Sequence, residues 1–128
     1  MKIAVFSDIH GNCCALDAVL DDASRRDVDS FVCLGDVAAT GPQPLDALER
    51  VVALGCPVVM GNADDILFGA ETPETDDEFM SRIYDIDSWC AGLLDDSHRE
   101  QSAVMRRRCR SRTARSWASM DHPLLSTR

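Results

Sequence analysis

Along the first sixty positions, short continuous apolar runs alternate with segments of helical spacing. Residues 2–7 (KIAVFS), 30–34 (SFVCL) and 57–60 (PVVM) are brief apolar runs, each leading into small polar residues or a glycine. Such runs predict the buried strands of a parallel sheet. Between the first two, Ala15, Leu16, Val19, Leu20 and Ala23 recur at intervals of three and four, which predicts an amphipathic helix. Asn12 stands where that helix needs an acceptor for its free amides, and Arg25–Arg26 stand where cations favour its carboxyl end. A second helix opens at Pro42 and Pro44, turns Leu45, Leu48, Val51, Val52 and Leu54 inward, and stops at Gly55. Strand, helix, strand, helix, strand with short connections predicts an α/β fold, a parallel βαβαβ unit with right-handed crossovers.

After Gly69 the pattern loosens. Residues 70–78 (AETPETDDE) read as a solvated acidic loop. Residues 79–97 read as a helix, with Phe79, Ile83, Ile86, Trp89, Cys90, Leu93 and Leu94 close to helical spacing. Beyond Glu100 there is no strand run and no sustained amphipathic period. The chain therefore divides into a folded domain over residues 1–100 and a tail over residues 101–128.

Charge draws the same boundary. Residues 1–100 carry 6 basic and 21 acidic side chains, whereas residues 101–128 carry 7 and 1. The acidic body opposes nucleic-acid binding. The basic stretch RRRCRSRTAR (106–115) has three readings: a nucleic-acid or localisation patch, a strip contacting the chain's own acidic body, or a GC-rich message translated out of frame. The abrupt rise in Arg, Ser, Ala and Cys favours the last, with a disordered or out-of-frame tail in place of the second half of the fold.

A length of 128 residues suits one domain, and 45% hydrophobic with 27% charged residues excludes wholesale disorder. No apolar run approaches the roughly 20 residues that span a bilayer, and Met1-Lys2 leads straight into a strand run. Of six cysteines, Cys13 and Cys14 are adjacent, Cys33 and Cys56 sit in apolar stretches, and no CxxC pair occurs. That usage fits free thiols in a reducing cytoplasm.

Ligands of open parallel sheets bind outside the carboxyl ends of the strands. Three loops leave such ends: Ser7-Asp8-Ile9-His10-Gly11-Asn12, Gly35-Asp36-Val37 with Gly41, and Gly61-Asn62-Ala63-Asp64. Asp8 and His10 are two apart, so in an extended segment they point the same way. Oxygen donors with an imidazole suit Mn, Fe, Zn or a related divalent ion, and Asp36 on the middle loop could bridge two of them. Taken singly, Asp8, Asp36 and Asn62 read equally well as helix caps or turn residues. Three such loops at one sheet edge favour the metal reading.

The motifs DIHGN (8–12), GDVAATG (35–41) and GNAD (61–64) resemble, in order, those of the calcineurin-like metallophosphoesterase superfamily. The small bacterial and archaeal phosphodiesterase-like branch is the most similar, over residues 2–69. The resemblance implies the N-terminal half of a four-layer α/β/β/α sandwich around two divalent cations. Asp8 and His10 would bind one, Asp36 would bridge both, and Asn62 would bind the second, with Asp36, Asn62 and Asp64 carrying the catalytic roles. Mn leads the expected metals, followed by Fe, Zn and Mg. The implied reaction is hydrolysis of a phosphodiester or nucleotide-type ester by a water that the two metals activate.

Two features depart from that pattern. Many members carry a histidine where this chain has Ala63, which weakens monoester chemistry. The later histidine motifs of the family have no match, since His98 and His122 stand alone, leaving a thin ligand set. A catalytically inactive remnant with weak metal binding or an interaction role is therefore the rival reading, and a tail-led nucleic-acid binder is the third. The expected partners are a small phosphate ester and, through an uncovered sheet face, a second copy of the chain. No membrane is expected.

Overall fold

The computed structural model describes residues 1–101 and 105–107. Strand β1 (Ile3–Phe6) leads to helix α1 (Cys13–Arg25), then β2 (Ser30–Cys33), α2 (Pro44–Ala53) and β3 (Val58–Met60). Helices α3 (Asn62–Leu67), α4 (Glu78–Leu93) and α5 (Asp96–Gln101) follow, and β4 (Met105–Arg107) ends the described chain. The strands form one parallel sheet in the order β1-β2-β3-β4. This is the parallel α/β half that the sequence predicts.

Local chemistry explains the first helices. The Asn12 side chain accepts the Ala15 amide at 3.0 Å and so caps α1. Pro44 starts α2 without costing a hydrogen bond. Register then sorts the sheet's two faces: Ile3 pairs with Ser30, Phe6 with Cys33, and Cys33 with Val58. Phe6, Cys33, Val58 and Met60 pack with Leu16, Leu48, Val51 and Leu67 of the helices into one core. Successive right-handed crossovers between neighbouring strands place their helices on one side. The other side stays open at β1, where Ile3 and Val5 are 47% and 58% exposed.

Two elements differ from the sequence reading. The helix expected over 79–97 ends at Leu93: Leu94 turns into extended backbone and is buried, and Asp95 accepts the His98 amide at 3.0 Å to begin α5. Its inward stripe is Ile83, Asp87 and Cys90, while Phe79, Ile86, Trp89 and Leu93 are exposed. The second difference is β4, formed where the sequence shows no strand run. Val58 pairs with Met105, which is buried, so the open edge of β3 and a place in the core supply what local propensity lacks. The remainder of the basic tail, with Cys109 and His122, lies outside the described residues.

The five cysteines among the described residues are free thiols, with Cys13, Cys33 and Cys90 buried. No helix among the described residues is long and apolar enough to cross a membrane.

Candidate metal centre

The first two loops are stitched together by their backbones. The amides of Asp8, His10 and Gly11 donate to the carbonyls of Gly35, Asp36 and Val37 at 3.0, 3.0 and 2.9 Å. This ladder extends the β1–β2 pairing past the strand ends and sets Asp8, His10 and Asp36 side by side. One donor atom from each lies within 4.8 Å of the others. His10 Nε2 stands 3.9 Å from Asp8 Oδ1.

The route to that arrangement is not the extended segment that the two-residue spacing suggested. Asp8, His10 and Asp36 adopt φ values of 56°, 46° and 53°, in the left-handed region. Each such non-glycine residue costs about 1–3 kcal/mol and persists only where its surroundings hold it. Here the ladder holds it. Gly41 lets the loops close together, since a Cβ there would lie 1.5 Å from the His10 carbonyl oxygen.

Further contacts aim the side chains. His10 Nδ1 donates to the Ala39 carbonyl at 2.9 Å, which leaves the Nε2 lone pair for a cation. Asp36 Oδ1 accepts the Ala63 amide at 2.9 Å and so faces the third loop. The Ser7 hydroxyl donates to Asp8 Oδ2. Asn62, the first residue of α3, is exposed and lines the same cleft as His10. Two carboxylates with a neutral imidazole fit a divalent cation of the Mn, Fe or Zn type.

Asp64 is fully buried. Its carboxylate accepts the amides of Asp36 at 2.7 Å, Val37 at 2.9 Å and Gly61 at 3.0 Å. Burial pushes its pKa up, and those three hydrogen bonds oppose the rise. Asp64 thus caps α3 and also ties the second loop to the third.

His98 stands apart from this cluster. Its Nδ1 meets Asp95 Oδ1 at 2.6 Å and its Nε2 meets Glu49 Oε1 at 3.4 Å, so it joins α5 to α2.

Sequence reasoning missed Thr40 and Asp87. The Thr40 hydroxyl donates to Asp87 Oδ1 at 2.6 Å, and Thr40 holds a φ of 63°, unusual for a β-branched residue. Asp87 is buried and sits on the inward stripe of α4, between Ile83 and Cys90. A lone carboxylate on an apolar stripe was the available signal.

A parallel sheet whose strand-end loops gather two carboxylates and an imidazole defines a candidate divalent-metal centre. The chain matches the calcineurin-like phosphoesterase superfamily domain over residues 1–116, and it belongs to that superfamily. It is 43% identical over 70 residues to an uncharacterized protein of Methanocaldococcus jannaschii, a match covering 55% of this chain and 29% of that protein. It also resembles the crystal structure of a metallophosphoesterase from Sphaerobacter thermophilus, with a TM-score of 0.64 and 32% identity. That likeness covers 82% of this chain and 41% of the other, so this chain spans less than half the length of either relative.

Proposed function

We propose that this chain is a cytoplasmic metal-dependent phosphoesterase acting on a phosphodiester or nucleotide-type phosphate ester, with two divalent cations, Mn foremost. The observation that carries the reading is the convergence of Asp8, His10 and Asp36 to within 4.8 Å at the carboxyl edge of the sheet. Asp8 and His10 would hold one cation, Asp36 would face both, and Asn62 would join the second. When bound, such a pair supplies positive charge against the phosphate oxygens and lowers the pKa of a shared water. The chain's own residues organise the site. The Ala39 carbonyl selects the His10 tautomer, and Asp64 holds the Asp36 backbone against the third loop.

Hydrolysis of bis-p-nitrophenyl phosphate by the purified chain with added Mn tests this. Asp36→Ala should lower the rate by about a hundredfold. Equal rates discard the enzyme reading and leave the rival, an inactive remnant with weak metal binding or an interaction role. One observation favours that rival: among the described residues, His98 is engaged by Asp95 and Glu49, which leaves Asp36 and Asn62 alone for a second cation. As part of the same proposal, the native reading frame is taken to be lost along the basic stretch after β4, at the end of the segment that the superfamily match covers to residue 116. Translating the coding DNA in its other frames checks it, since restored strand runs and a histidine motif are expected there.

A further inference from the structure

We infer that a small apolar cleft beside Asp8 holds the ester group that stays on phosphorus, and that the substrate is a phosphodiester whose staying group is apolar and about the size of one ring. The inference rests on the phosphoesterase reading and narrows its substrate class. Asp8 Oδ1 and His10 Nε2 lie 3.9 Å apart, yet the two residues line different clefts. His10 lines one that also takes in Thr40 and Asn62. Asp8 lines the other, a cavity of about 130 Å³ between the end of β1 and the first half of α1. A phosphodiester carries two groups that diverge from phosphorus. Separate clefts at two adjoining ligands match both groups, whereas a monoester leaves one cleft unfilled.

The Asp8 cleft suits the group that stays. Phe6, Ile9, Ala15, Leu16 and Val19 form its apolar wall. Ile9 and Leu16 are buried, and Val19 is 45% exposed, so the wall is firm on the core side and open to water along α1. A cavity of roughly 150 Å³ with such a lining takes up benzene, and a ring held there is removed from water. A departing oxygen, by contrast, needs a proton as its bond to phosphorus breaks. The Ser7 hydroxyl in this lining already donates to Asp8 Oδ2, and the Asn12 side-chain carbonyl accepts the Ala15 amide at 3.0 Å. A group that remains bonded makes no such demand. In the hydrolysis, water forms the new P–O bond and the bond to the departing oxygen breaks. The P–O bond to the group in the Asp8 cleft stays intact.

Two esters share a leaving group and differ in what stays: bis-p-nitrophenyl phosphate keeps a ring, and methyl p-nitrophenyl phosphate keeps a methyl. The test assays both with the full chain loaded with Mn. Ala15 is exposed on α1, so Ala15→Leu fills the cleft from its outer side. It should lower kcat/KM for the ring-bearing diester relative to the methyl diester by about tenfold. Val19→Asp should lower the same ratio by about threefold, and because both esters are monoanions the added charge cancels in the ratio. An unchanged ratio in folded Ala15→Leu overturns the cleft, a fall shared equally by both esters included. Should Ala15→Leu not fold, an unchanged ratio in Val19→Asp does so instead. Should wild type hydrolyse neither diester, the phosphoesterase reading fails by itself, and equilibrium dialysis of bis-p-nitrophenyl phosphate decides the cleft. Binding that Ala15→Leu weakens supports it, and equal or absent binding overturns it.

Discussion

Asp64 accepts the backbone amide of Asp36 at 2.7 Å, while Asp36 in turn accepts the amide of Ala63 at 2.9 Å. Two carboxylates thus clasp each other's loops across the gap between β2 and β3. This reciprocity accounts for a left-handed Asp36 in a place where an isolated loop would relax. It also explains the bare backbone at Gly61, where a Cβ would lie 2.1 Å from Asp36 Oδ1.

Removing the clasp should be costly. Asp64→Ala strands the amides of Asp36, Val37 and Gly61 without their acceptor, and we expect a loss of about 3 kcal/mol in urea unfolding. Asp64→Asn keeps one acceptor oxygen and should lose less. A change below about 0.5 kcal/mol, ordinary for a surface position, would contradict this account.

Asp87 should act on His10 without touching it. Its hydroxyl partner Thr40 adjoins Ala39, whose carbonyl accepts from His10 Nδ1. In Asp87→Ala we expect Mn affinity, measured by titration calorimetry, to fall about tenfold, as when other supports of a ligating histidine are lost. Asp87→Asn can still accept from Thr40 and should restore most of the affinity. Wild-type affinity in the alanine variant would break the link.

Thiol reactivity should follow burial. Desolvation pushes the Cys33 thiol up to about 11, and burial also raises the pKa of Cys13 and Cys56. With N-ethylmaleimide at pH 7, peptide mass spectrometry should find exposed Cys14 modified well before Cys13, Cys33 and Cys90. Rapid labelling of Cys33 in the native protein would mean that the sheet opens readily.

Acid should loosen the start of α5. The His98 amide, then the Ser97 hydroxyl, hold the Asp95 carboxyl down to about 2 from an ordinary 3.8. A depressed carboxylate stabilises the fold above its unfolded pKa, and that stability is lost as pH falls through the folded one. Wild type should therefore melt above Asp95→Ala near neutral pH, with the gap closing between about pH 4 and pH 2. A gap that is constant across that range would assign the effect to something other than ionisation.

Most of the fold and the candidate ligands were legible in the sequence, because their signals are local. Apolar runs located β1, β2 and β3, helical spacing located α1 and α2, and Asn12 does cap α1. Asp8, His10 and Asp36 could be singled out because the loops that leave neighbouring parallel strands must meet at one edge. The limit of the long helix was harder to see. Leu94 continues the apolar spacing and is buried, yet the helix has already stopped at Leu93 and Asp95 opens α5, a break that a periodicity cannot express.

By itself, then, the amino-acid order determined the strand and helix succession, the chemistry of the three strand-end loops and the uneven spread of charge. Each follows from neighbours along the chain. Tertiary structure alone decided the left-handed backbone at Asp8, His10 and Asp36, the clasp of Asp64 on Asp36, the hold of Asp87 on Thr40, and β4. Those depend on hydrogen bonds between residues 26 to 47 positions apart, or on a vacant strand edge that exists only once the sheet is assembled.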